Sequence, residues 1–212
     1  ARLQADSETR HHCPVCKRVF TDARTAAAYR TVLYYRLEAE LKTLARAYAL
    51  TGRAAYAEAV RDALLKMARA WPTFPRHDRW GRTGILAVVG GRRFAQLLDE
   101  ATSLINLAEA WDLIADAPAV SDTDRALIEK QLFQMPVAEI DRYEWFVGSR
   151  NNHQSWFNAA KAVVGLVLGD EAMLRRALWG KAGLLWQVEH SVIDGSWYEG
   201  SLAYHFYALQ AI

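Results

Sequence analysis

The sequence predicts an all-α chain, built as antiparallel helical hairpins arranged in an incomplete α/α toroid. Three observations carry that expectation. Apolar residues recur at three- and four-residue steps over most of the chain, the spacing of a buried helical stripe. Short turns containing Gly, Asp or Pro separate these runs, and no convincing strand alternation appears among them. The chain has 212 residues, of which 52% are hydrophobic, enough for one domain with a real core.

The elements follow in order. Residues 1–21 read as an N-terminal extension carrying a Cys-x-x-Cys, and 22–212 as the toroid. Over 22–50 the residues Ala27, Val32, Leu33, Leu37, Leu41, Leu44 and Tyr48 make one stripe, which Thr51-Gly52 stops. A second helix covers 54–70, with Tyr56, Val60, Leu64 and Met67 inward and Pro72 closing it. Residues 73–92 read as a loop. The third helix is expected over 93–115, and Ser121-Asp122 caps a fourth over 123–146. Pro136 falls inside that fourth segment and predicts a kink or split. After a loop at 148–153 come helices over 154–168 and 171–192, with a Gly169-Asp170 turn between them. Asp194-Gly195 is a turn, and a last helix starts near Gly200 and runs to Ile212 without a stop signal, which suggests a toroid continuing past that residue.

Composition excludes several roles. The 26 basic and 24 acidic residues are interspersed, so no basic patch for nucleic acid stands out. No run approaches the ~18 apolar residues of a membrane span. The opening Ala-Arg-Leu-Gln-Ala-Asp lacks the basic-then-apolar pattern of a signal peptide. The eight tryptophans are conspicuous, and Trp71, Trp80, Trp145, Trp156 and Trp197 fall in or beside expected loops, where an indole packs or meets a ligand.

Two stretches concentrate chemistry. Asn151, Asn152, His153 and Gln154 stand directly before Trp156-Phe157 at a helix N-terminus, where unpaired amides and the helix dipole favour an anion. Asn there is also an ordinary cap. Some fifty residues on, Tyr204 and Tyr207 share one face of the last helix, with His205 beside the first and Glu199-Gly200 just upstream. A phenol next to an imidazole or a cation becomes a usable base, whereas Tyr207 fits equally well as core. Glu199 and Asp194 fit an acid and base across a glycosidic bond. More simply, Asp194 is a turn former and Glu199 a cap or a support for His153. Gly90-Gly91-Arg92-Arg93 with Gln96 opens the third helix, and guanidinium forks match carboxylates. His11, His12, Cys13 and Cys16 are a weak structural zinc candidate, with a disulfide or free thiols as the alternatives.

Asn151-Asn152-His153-Gln154-Ser155-Trp156 and Asp194-Gly-Ser-Trp197-Tyr-Glu199-Gly-Ser-Leu-Ala-Tyr204-His205-Phe-Tyr207 together resemble the helical domain of the heparinase II/III-like and alginate lyase superfamily of polysaccharide lyases. Thr51-Gly52-Arg-Ala-Ala-Tyr56, Gly91-Arg92-Arg93-Phe94-Ala95-Gln96 and Ala108-Glu-Ala-Trp-Asp112 are similar to it as well, so the resemblance runs from about residue 25 onward. It implies a helical toroid truncated before C-terminal β-sheet domains, and cleavage of a uronate-containing polysaccharide or oligosaccharide by β-elimination. The substrate would be alginate or a glycosaminoglycan. On the resemblance, Asn152 and His153 neutralise the uronate carboxylate and Tyr204 is the acid/base, with His153 as base for one epimer. Trp197 and Glu199 fall at substrate-facing positions, and Asn151, Gln154, Trp156, Arg93, Gln96, His205 and Tyr207 complete the expected binding set. These groups require no cofactor. Some alginate lyase branches carry an arginine seven residues before the tyrosine, where this chain has Trp197. The size of such polymers suggests export to the periplasm or beyond. Two rivals stand beside this reading: an inverting glycoside hydrolase using Glu199 or Asp194, and a non-catalytic carbohydrate-binding helical module.

Overall fold

The computed structural model describes residues 3–7 and 9–212, and these are predominantly helical. They form two compact units, Ala1–Glu40 and Leu41–Ile212. Among the described residues, no helix is long and apolar enough to cross a membrane.

The first unit opens with three two-residue strands, β1 (Gln4–Ala5), β2 (His11–His12) and β3 (Val19–Phe20), in one antiparallel sheet. The loop between β2 and β3 carries both cysteines as free thiols. Amide N–H groups of Cys16 and Val15 point at the Cys13 sulfur and hold that thiol below its ordinary range. The adjacent imidazoles are engaged elsewhere. His12 meets Asp6 Oδ1 at 2.8 Å and Gln4 Oε1 at 3.0 Å, while His11 is buried edge-on against Tyr29. Cys13 and Cys16 lie within hydrogen-bond reach of each other, and among the described residues no group of three or more His, Cys, Asp or Glu side chains is placed to hold a metal ion. Helix α1 (Ala23–Thr51) then starts on Asp22, whose carboxylate takes the Thr25 amide and hydroxyl at 2.8 Å each. It runs on into the second unit.

In the second unit α2 (Ala54–Ala70) leads into the 73–92 segment, which holds one short 3-10 helix (Gly84–Leu86) and no α-helix but is firmly tied. Arg76 is buried there, donating to Glu139 Oε1 at 2.9 Å, to the Ala87 carbonyl at 2.9 Å and to the Val88 carbonyl at 2.6 Å. Helix α3 (Leu97–Asp112) is shorter at both ends than expected. Its start is displaced because Glu100 turns back and accepts the backbone amides of Arg92, Arg93 and Phe94, pulling those residues out of helical register. A carboxylate satisfying three amides outcompetes one more helical turn.

The Pro136 segment divides into three successive helical stretches. Helix α4 (Asp122–Ile128) passes through a π-helical stretch, Glu129–Gln134, into α5 (Met135–Tyr143). Widening the turn just before a proline relieves the ring's clash with the carbonyl four residues back. Helix α6 (Asn152–Leu168) follows, capped by Asn151, and Gly169 at φ 66° ends it in the left-handed conformation. Asp170 then caps α7 (Glu171–Trp179) through the Met173 amide at 2.9 Å, closing a tight helical hairpin.

The helix expected over 171–192 breaks. Gly180 and Gly183 bracket a turn, and α8 (Leu184–Ser191) starts afresh. A side chain on Gly183 would meet the Leu178 carbonyl at 2.5 Å, so the turn depends on glycine. The expected absence of strands is also corrected. Val192–Ile193 (β4) and Ser196–Trp197 (β5) pair as a hairpin across Asp194-Gly195, both residues having positive φ, 49° and 78°. That is the mirror-image turn an Asp-Gly pair favours. Helix α9 (Leu202–Leu209) completes the chain's regular structure. The core sits where α6 packs against α3, α7, α8 and α9, with Trp111, Phe133, Phe157 and Ile140 fully buried in this unit.

Candidate active site

The site assembles where the first turn of α6 meets the β5–α9 connection. Asn151 serves as the cap, its Oδ1 accepting the His153 amide at 2.8 Å. That frees the next side chain to point away from the helix end. Asn152 is buried and donates through Nδ2 to both oxygens of Glu199, at 3.1 and 2.9 Å. Glu199 Oε2 also accepts the Trp197 indole N–H at 2.6 Å. One carboxylate thus joins residues 47 positions apart and locks the β4–β5 hairpin onto α6.

The chain of contacts continues to the last helix. The Trp197 backbone N–H donates to His205 Nδ1 at 3.1 Å. A ring nitrogen that accepts carries no proton, so neutral His205 holds its hydrogen on Nε2. Tyr204, the residue before it, is 48% exposed, so its phenol is open to solvent rather than sealed among aliphatics. Asn152, Trp197, Glu199 and His205 are therefore one bonded cluster, and Tyr204 flanks it.

His153 is half-buried at the same helix end, edge-on to Phe157 at a centroid separation of 6.3 Å. Burial pushes its pKa down, and the Glu199 charge opposes that shift without cancelling it. The imidazole is thereby favoured in its neutral form, able to donate or accept one proton.

The other expected residues divide. Trp156 is buried among Leu98, Ala159 and Ala211, and Tyr207 stacks obliquely on it at 5.0 Å. Burial first, then the charges of Asp99 and Tyr204, raise the Tyr207 phenol above its ordinary range. These two rings hold α9 to α6 rather than presenting a face outward. Arg93 is likewise buried, its guanidinium donating to the Ser103 hydroxyl. Gln96 is half-buried at the start of α3. Gln154 turns to the opposite side of α6, donating to Glu144 at 2.9 Å and Asn158 at 3.1 Å. Asp194 lies exposed at the hairpin tip and makes no pair with Glu199.

Two residues absent from the sequence reading belong to this site. The Tyr198 hydroxyl donates to the Arg150 carbonyl, and the Arg150 guanidinium lies 4.0 Å over the Tyr198 ring. A cation is thus held over the ring of the residue next to Glu199, and both charges bear on the Tyr198 phenol. The readable signal was the position of each: Arg150 immediately precedes the Asn-Asn-His run, and Tyr198 immediately precedes Glu199.

The helical scaffold thus gathers amide, imidazole, indole and carboxylate at one helix end. Residues 2–212 match the alginate lyase family across essentially the whole sequence, and the chain belongs to it. It is 33% identical over 171 residues to an alginate lyase of Stenotrophomonas maltophilia (strain K279a), covering 76% of this chain and 22% of that protein. To an exo-oligoalginate lyase of Saccharophagus degradans (strain 2-40 / ATCC 43961 / DSM 17024) it is 29% identical over 170 residues, with the same 76% and 22% coverage. The chain therefore spans about a fifth of the length of these curated relatives.

Proposed function

We propose that this chain supplies the carboxylate-binding and proton-transferring part of a polysaccharide lyase that cleaves alginate or alginate oligosaccharides by β-elimination. The observation that carries the reading is the bonded cluster linking Asn152, Glu199, Trp197 and His205, which brings the start of α6 to the residue beside Tyr204. Names of the two relatives support alginate over a glycosaminoglycan as substrate.

In this reading the uronate carboxylate sits against Asn152 and His153. An amide has two N–H donors. Glu199 engages one of them in a bifurcated bond and leaves the other for the substrate. Glu199 thereby orients Asn152 as a positioning residue, and the Arg150 guanidinium over the neighbouring Tyr198 ring adds a positive charge to this side of the site. Neutralising the carboxylate lets charge develop on it as the C5 proton leaves. The Tyr204 phenolate oxygen takes that proton, the C5–H electrons form the C4–C5 double bond, and the C4–O4 bond breaks. The proton passes to O4 of the departing chain, from the same phenol where the two groups share a face. Each positioned transfer contributes roughly 10²–10⁴-fold in rate.

The test is direct. Full-length protein mixed with alginate oligosaccharide should release product absorbing in the ultraviolet as an unsaturated uronate, and Tyr204→Phe should abolish it. Because Tyr204 is about half exposed and the change removes only its hydroxyl, the variant should fold normally, and its thermal unfolding should match the parent. Undiminished product from Tyr204→Phe removes Tyr204 from the mechanism, and reducing ends without ultraviolet product favour hydrolysis.

A further inference from the structure

A cavity of about 770 Å³ opens on a different face of α6, lined by Glu144, Trp145, Gln154, Lys161, Arg176 and Lys181 among others. We propose that it is a second saccharide site, one that binds an anionic sugar residue of the glycan without cleaving it. Its volume falls within the roughly 300–1,000 Å³ of sites for small ligands. Gln154 follows Asn152 by two residues, about 200° around an α-helix, so cavity and elimination cluster flank the same helix end.

The cavity floor is polar, buried and preorganised. Gln154, Asn158 and Lys161 form one stripe of α6, and all are at least 94% buried. Lys161 Nζ lies 2.6 Å from Glu144 Oε2 and 3.4 Å from Asp141, so its charge is spent within the floor. Asn158 donates to the Ala182 carbonyl at 2.6 Å. Both bonds that Glu144 accepts land on Oε2, which leaves Oε1 as an acceptor for a sugar hydroxyl.

The rim supplies what the floor lacks. Trp145 is 69% exposed, an indole face of the kind on which the apolar side of a pyranose stacks. Arg176 and Lys181 are exposed, and neither forms an ion pair among the described residues. An indole, two uncommitted cations and a carboxylate acceptor fit a hexuronate: ring on Trp145, carboxylate on Arg176 and Lys181, hydroxyls on Glu144. The class of ligand rests on the function proposed above, whereas the cavity's construction does not.

The experiment uses full-length protein labelled with 5-fluorotryptophan in a Tyr204→Phe background, which keeps the ligand intact. The Trp145 fluorine signal is assigned by its disappearance in Trp145→Phe. Titration with a saturated alginate tetrasaccharide should move that signal, while cellotetraose, a neutral analogue, should not. Arg176→Ala with Lys181→Ala should weaken the titration at least about tenfold, the loss expected for two charged contacts. An unmoved Trp145 signal, an unchanged affinity in the double variant, or an equal response to cellotetraose overturns the proposal. Adding His153→Ala separates the two readings: the Trp145 shift should persist even where the elimination site no longer binds. Ultraviolet product appearing in the Tyr204→Phe background would remove Tyr204 from the elimination mechanism and leave the second site standing.

Discussion

Glu199 is the residue whose removal tests the architecture of the site most sharply. In Glu199→Ala, Asn152 Nδ2 and Trp197 Nε1 lose the acceptor they share at 2.9 and 2.6 Å. Both donors belong to residues no more than 4% exposed, so water replaces the carboxylate poorly. Each buried donor left unsatisfied costs about 1–3 kcal/mol. Two of them put the loss near ~3 kcal/mol, with room for partial relaxation around the small side chain. For a chain of this size that corresponds to a fall of roughly 6–12 °C in the unfolding midpoint. Glu199→Gln retains one carbonyl oxygen, which can accept from both donors as Oε2 does, and should fall by less than half as far. The assay is thermal unfolding followed by circular dichroism, on parent, Glu199→Ala, Glu199→Gln and Trp197→Phe. Adding Glu199→Ala to Trp197→Phe should cost less than the sum of the two, because they remove one shared bond. A Glu199→Ala midpoint within about 2 °C of the parent would refute the claim that this carboxylate ties the hairpin to α6.

Two further outcomes follow from the same bonds. The pKa of His153 is depressed from its ordinary 6.5 by burial, so the unfolded chain takes up a proton at a higher pH than the folded one. Its contribution to stability is complete above pH 6.5 and is lost as pH falls through the folded value. His153→Asn should flatten that decline in urea unfolding between neutral pH and pH 5, and an unchanged pH dependence would contradict the burial argument. Glu100→Ala should cost about 4 kcal/mol or more, since it strands three backbone amides and the Trp71 indole. An unshifted urea midpoint would show that the turn at residues 92–94 stands without it.

What the sequence revealed, and what it hid, follows the range of each interaction. Helical stripes are repeated local signals, and every long helix was legible from them. Asn151, Asn152 and His153 were legible because a cap must sit at a helix start. The breaks were harder. Glu100 reaches back to residues 92–94 from inside α3, and nothing in a glutamate at the fourth helical position separates that from an ordinary solvated one. Gly180 and Gly183 did carry a readable signal, since two glycines three apart tax a helix by about 1 kcal/mol each relative to alanine. Asp194-Gly195 carried a stronger one: this pair between β-branched and aromatic residues signals a hairpin, not merely a turn.

The functional cluster shows the same limit from the other side. Sequence spacing placed Asn152 on a helix end and Tyr204 near the start of another, but the acceptor that joins these ends is 47 residues from its donor. No periodicity encodes that contact. Its place just before the last helix suits Glu199 to a cap or a support for His153, whereas its bonds run to Asn152 and Trp197. On the function proposed above, in which the site holds a uronate, charge makes the arrangement unusual. A carboxylate placed beside a carboxylate pocket repels the ligand unless its charge is dispersed. Here it is shared between an amide and an indole, with the Arg150 guanidinium stacked 4.0 Å over the adjacent Tyr198 ring. The consequence is that Arg150 matters more than its position on an exposed loop implies. Under the proposed function the measurement is KM for alginate oligosaccharide in Arg150→Ala: a rise is expected where its charge offsets that of Glu199, and an unchanged KM removes Arg150 from the site.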